Sequence, residues 1–178
     1  MDEQTLNEIV ARNAIHEVLT RYCRALDRLD EPMLRSCFHP DSQHNHGFVG
    51  PTEQFFGYAW QVLQGCVATH HQLGAVSIAV HGDTADSEAY FTAYHRLSDT
   101  PPAAFGLDAA GYDLTVSGRY VDAFEKRDGE WRIVRRTGVH DWRRFEPPAD
   151  RDFFRLPPEG RGRRDKQDPV YIRRSLGG

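Results

Sequence analysis

Residues 70–97, HHQLGAVSIAVHGDTADSEAYFTAYHRL, decide the fold. Before them apolar residues recur every three or four positions. Within them small and apolar residues recur every second position, the period of a strand with one buried face. HGD (81–83) supplies a tight turn, so 70–80 and 84–97 read as a hairpin. Two further runs keep the period of two, YDLTVSGRYVDAFEKR (112–127) and EWRIVRRTGVHDWRRF (130–145), joined by the turn signal RDG. SDTPPAAFGLDAAG (98–111) is a long loop. A four-stranded antiparallel meander follows.

Working back toward the N-terminus, Leu6, Ile9, Val10, Ala14, Val18, Tyr22 and Leu26 predict one amphipathic helix over 4–27. Asp30 can cap a short second helix, Met33 to Cys37, with Pro32 in its first turn. HPDSQHNHGFVGP (39–51) reads as loop, or loop around a short strand. Thr52 can cap a third helix that ends at Gly65. Three helices followed by a meander make an α+β domain over 1–145, with the sheet wrapping the helices. Residues 146–178 are rich in proline, glycine and arginine. Phe153, Phe154, Leu156, Val170, Tyr171 and Ile172 are too apolar for a purely solvated tail, so it should pack on the domain or on a neighbouring subunit.

The chain has 178 residues and a formal net charge of −4, which argues against a broad basic face for nucleic acid. No apolar run reaches membrane-spanning length, and MDEQTLNEIVARN does not read as a signal peptide. Cys23, Cys37 and Cys66 show no zinc spacing and read as reduced thiols of a cytoplasmic protein.

The residues able to do chemistry are histidines and one aspartate. Strand alternation sends His70 and His71 to opposite faces. His95 shares a face with Ala85, Ser87, Ala89, Phe91 and Ala93, and small neighbours leave room for a pocket. His140 either lines that space or points outward. Asp27 continues the apolar stripe of the first helix, where a carboxylate is costly without a partner. A histidine from the sheet would be that partner. Bonding one imidazole nitrogen to a carboxylate fixes the tautomer and makes the other nitrogen a better base. His39, Asp41, His44 and His46 lack the fixed spacing of a metal pair, so no metal is expected.

Taken together, RYCRALDRLD (21–30), THHQLGAVSIAVHGDTA (69–85), AYFTAYH (89–95) and GRYVDAFEKRDGEWRIVRRTGVHDW (118–142) resemble the SnoaL-like group of the nuclear transport factor 2 superfamily. The resemblance implies a cone-shaped α+β barrel: three N-terminal helices in a curved, mainly antiparallel sheet around a deep apolar pocket. Within that superfamily the chain is similar to cofactor-free lyases such as scytalone dehydratase, hexachlorocyclohexane dehydrochlorinase and bile-acid 7α-dehydratase. Carried over, the similarity makes Asp27 and His71 a catalytic dyad. It also makes His95 a second pocket histidine and Tyr22 a pocket tyrosine; Tyr120 and His140 complete the candidate set. Ala75 departs from the pattern, since many relatives carry asparagine there.

The function so implied is proton abstraction by His71 from a small hydrophobic, cyclic or aromatic substrate. Water, halide or a small carbonyl such as formaldehyde then leaves, assisted by His95 or a tyrosine as acid, with no cofactor. An isomerase or cyclase acting on steroid- or polyketide-like substrates is the alternative using the same base. A non-catalytic assembly subunit, like the dioxygenase small subunits, is the alternative without chemistry. A homodimer or homotrimer is expected.

Overall fold

The computed structural model describes residues 2–101, 103–105, 109–149 and 157–172. Helix α1 spans Glu3–Arg28. Asp2 caps it by accepting the Thr5 N–H at 2.7 Å. Its buried face begins at Ala11 and runs to Asp27. Leu6, Ile9 and Val10, which the apolar stripe places in the core, are exposed instead. The first turns of α1 border an open groove with Val80, Gly82 and Trp131 instead of packing tightly on the sheet.

The end of α1 matters more for function. Leu29 takes the left-handed conformation at φ 49°. The Asp30 N–H reaches back to the Ala25 carbonyl at 2.9 Å, closing the helix immediately after Asp27. Asp30 then caps α2 (Glu31–Arg35), accepting the Met33 N–H at 3.4 Å. That helix starts and ends two residues earlier than predicted. Helix α3 (Thr52–Gln64) lies where expected, but Pro51 is its N-cap. The Thr52 hydroxyl is buried without a partner rather than capping the helix.

Among the described residues the sheet has six strands, not four. The meander is β3 (Cys66–His81), β4 (Thr84–Leu97), β5 (Asp113–Arg127) and β6 (Glu130–Glu146). Asp128 and Gly129 both take positive φ in the last turn, as a two-residue hairpin of that type requires. The segment predicted as loop forms β1 (Phe38–Asn45) and β2 (Val49–Pro51). Strand β1 runs parallel to β6, pairing His44 with Arg136. Its turn-forming residues are tolerated because Pro40 falls in the irregular stretch between Phe38 and Gln43, where the ladder is broken. The order is β2-β1-β6-β5-β4-β3, an open curved sheet with free ends at β2 and β3 instead of a closed barrel.

The helices fill the concave side, and the core gathers Ile15, Leu19, Tyr22, Phe38, Phe56 and Phe124. One charged pair lies inside it. Arg136 donates to both Asp122 carboxylate oxygens at 2.7 and 2.6 Å, and both side chains are 0% exposed. The guanidinium lies 3.9 Å from the Tyr22 ring centre and 4.4 Å from that of Tyr120. Paired and sandwiched in this way, a buried charge becomes tolerable.

In the C-terminal segment, Lys166 and the Tyr171 hydroxyl donate to Asp30. Asp168 meets Arg28 at 3.2 Å, and Arg164 donates to the carbonyls of Leu63 and Cys66. Phe153, Phe154 and Leu156 lie outside the described residues.

Candidate active site

Asp27 sits on the last turn of α1, and the helix closure at Leu29 directs it across to β3. The His71 ring donates from Nδ1 to Asp27 Oδ1 at 2.7 Å. The His71 backbone N–H donates to Oδ2 at 2.8 Å. One carboxylate therefore holds both the ring and the strand that carries it. Burial would raise the Asp27 carboxyl, but the His71 hydrogen bonds and the imidazole's charge outweigh it, and its pKa is lowered. With Nδ1–H committed to the carboxylate, the free Nε2 lone pair is the available base. His70, the neighbouring residue, is exposed on the other face.

A cavity of about 150 Å³ opens beside the dyad. Engineered apolar cavities of that size hold a single benzene ring. Leu26, Phe55, Leu63, Phe91, Phe105 and Val116 give it largely apolar walls. His95, from the adjacent strand, places its ring 5.2 Å from that of His71, edge to face. Its Nδ1 is buried without a partner. Burial, helped by repulsion from His71, pushes the His95 pKa down to about 3. It is therefore neutral at ordinary pH and can offer a hydrogen bond to a bound substrate.

Tyr22 and Tyr120 also line the cavity, their rings 5.4 Å apart above Arg136. Burial pushes the Tyr22 hydroxyl up to about 12, against the pull of Arg136, and raises that of Tyr120 well above its ordinary value. Both remain hydrogen-bond donors. The Tyr120 hydroxyl is buried without a partner. Tyr120 stacks on Phe91 at 4.2 Å, making a flat aromatic plate.

His140 lines the cavity as well, at its exposed side. Its Nε2 lies 2.8 Å from the Nε2 of His46. His46 is a lining residue that reading 39–51 as loop had concealed. The signal was present in the spacing of Ser42, His44 and His46, which is a strand period. His44 turns away to stack on Phe55 at 3.5 Å and does not reach the cavity. Among the described residues, no group of three or more His, Cys, Asp or Glu side chains is arranged to hold a metal ion.

An open, curved, mainly antiparallel sheet over three helices, with polar groups converging on an apolar cavity, is the nuclear transport factor 2-like cone. The chain belongs to the SnoaL-like domain family, whose model matches residues 7–137. Its fold is similar to that of a hexachlorocyclohexane dehydrochlorinase, with a TM-score of 0.69 at 20% identity, covering 86% of this chain and 98% of that one. It is also similar to a candidate scytalone dehydratase from Novosphingobium aromaticivorans, with a TM-score of 0.67 at 21% identity, covering 83% and 98%. A superfamily protein from Salmonella enterica serovar Typhimurium gives 0.62 at 19%, covering 80% and 94%. No curated protein matches the chain significantly. Among the described residues no helix is long and apolar enough to cross a membrane.

Proposed function

We propose that the chain is a cofactor-independent lyase in which His71, oriented by Asp27, removes a proton from a small cyclic substrate. The observation that carries this reading is the two-point hold of Asp27 on His71 at the wall of an apolar cavity. A buried carboxylate paired to an imidazole costs less once the imidazole is cationic, which is the state reached by abstracting a proton. The dry walls strengthen that coupling. The similar folds of a dehydrochlorinase and a candidate dehydratase agree with elimination. A non-catalytic subunit would call for a cone filled by bulky side chains, and the cavity weighs against it.

The substrate class follows from the cavity: one ring, mostly apolar, with a carbon acid near His71. The test is a screen of cyclic hydroxy-ketones and halogenated rings for elimination, run on the wild type and on His71→Ala. Turnover surviving in His71→Ala would end this reading. Self-association as a dimer or trimer is part of the same proposal. Tyr90, Val121 and Trp142 stand exposed on the outward face of the sheet, and light scattering reads the mass.

A further inference from the structure

Opposite the dyad, the His46–His140 pair has no place in simple proton abstraction. Two imidazoles meeting Nε2 to Nε2 at 2.8 Å must share one proton between those nitrogens. His140 is exposed and His46 lies further in, its ring 5.5 Å from Tyr120 and 5.8 Å from Phe91. The pair thus spans from solvent to the aromatic plate. Gly138 is what allows it, because a Cβ there would fall inside the His46 ring.

We propose that His140 and His46 form a proton relay that delivers a solvent proton to an oxygen leaving group, making the preferred reaction a dehydration. This rests on His71 being the base. When His140 donates to His46 Nε2, His46 carries its own proton on Nδ1, and a proton arriving at one nitrogen releases the other. In the reaction His71 takes the carbon-bound proton. The C–O bond breaks with its electron pair on oxygen, and the oxygen takes the His46 proton and departs as water. His46 is reloaded through His140, and His71 returns its proton to solvent, so no other reactant is needed. A halide leaves without a proton and would not use the relay. Burial pushes the His46 pKa down to about 3, so a proton delivered there is passed on rather than kept. The charged and titratable groups facing the pair are Arg136, Arg143, His71 and His95.

The probe is 3-hydroxycyclohexanone, a single ring with acidic carbon-bound protons and a β-hydroxyl. Exchange of its α-protons in deuterated water reads the base, and appearance of cyclohexenone reads loss of the hydroxyl. His71→Ala should lose both. His46→Phe and His140→Phe should each lower the ratio of elimination to exchange by at least about a hundredfold, the lower end of general acid contributions. An unchanged ratio in His46→Phe would overturn the relay while leaving the base intact, as would wild type that exchanges without eliminating. If wild type shows no exchange, the base reading fails. The pair is then decided by nitrogen-15 spectra of its rings. A shared protonation step, lost from His46 in His140→Phe, supports the relay, and independent titration of the two rings rejects it.

Discussion

At the scale of single residues, Asp27 does two jobs, and its substitution should separate them. Asp27→Asn keeps the shape but cannot stabilise the imidazolium. We expect a loss of about 10²–10⁴-fold in turnover, the range of comparable changes in hydrolase triads and general-base sites. His70→Ala, on the outward face, should cost less than about threefold, since it contributes no proton transfer to the cavity. Steady-state kinetics on the screened substrate check both. The carboxylate also makes a pH prediction. The folded pKa of Asp27 lies below its ordinary value of 3.8, so its contribution to stability is present above that value and fades as the pH falls through the folded one. Urea unfolding of Asp27→Asn between pH 2 and 6 should therefore show a shallower acid limb than the wild type. An equally steep limb would mean that the dyad adds nothing to folding.

At the scale of elements, small irregularities aim the side chains. Beyond Gly74 and Ala75, the inward residues of β3 are Val76, Ile78 and Val80; before them they are Leu73, His71 and Thr69. The irregularity between Leu73 and Val76 switches the parity. Strict alternation back from Val80 would have carried His70 inward. Strand β6 switches parity twice, once near Val134 and once near Asp141. That is how Ile133, Arg136, His140 and Arg143 all reach the inside of one strand. The second switch needs Gly118, where a Cβ would collide with the Val139 carbonyl. Gly118→Ala should force the strands apart and destabilise the protein by about 1–3 kcal/mol, as overpacking does, with the pair of His46 and His140 disrupted. Gly82→Ala, at a turn with open space around it, should cost about 1 kcal/mol for its positive φ alone. Denaturant melts of the two variants test that order.

At the scale of the whole molecule, the C-terminal segment bears on the base of the helices. It brings Arg164 onto the last carbonyls around α3, and Lys166 and Tyr171 onto Asp30. Removing residues 158–178 strips these partners from a buried carboxylate. We expect the melting temperature to fall by at least about 4 °C, on the scale of 2–4 °C per kcal/mol for chains of this size. An unchanged transition in differential scanning calorimetry would show that the segment only decorates the surface. Arg136→Met should be harsher, costing about 3–5 kcal/mol, because it leaves Asp122 buried and unpaired. Changing Asp122 and Arg136 together to apolar residues should recover much of that loss.

The helix positions, the meander and the pairing of Asp27 with a strand histidine were all legible in the sequence. The helices and the meander depend on local periodicity and on turn chemistry that travels with the residues, at Gly82 and at Asp128–Gly129, whereas the pairing is read from a carboxylate in an apolar stripe and from the resemblance. Strands β1 and β2 were not legible, because their residues read as turn formers and become strand only by pairing with β6 and with each other. The ion pair of Asp122 and Arg136 was hidden for the same reason, since two alternating charged residues on neighbouring strands look like a solvated face. The resemblance already puts His71 rather than His70 in the dyad, but the bulge that turns it inward, and the meeting of His46 with His140, were decided by tertiary structure alone. Alternation tells which residues share a face only until a bulge resets it, and where a bulge falls depends on the strand next door.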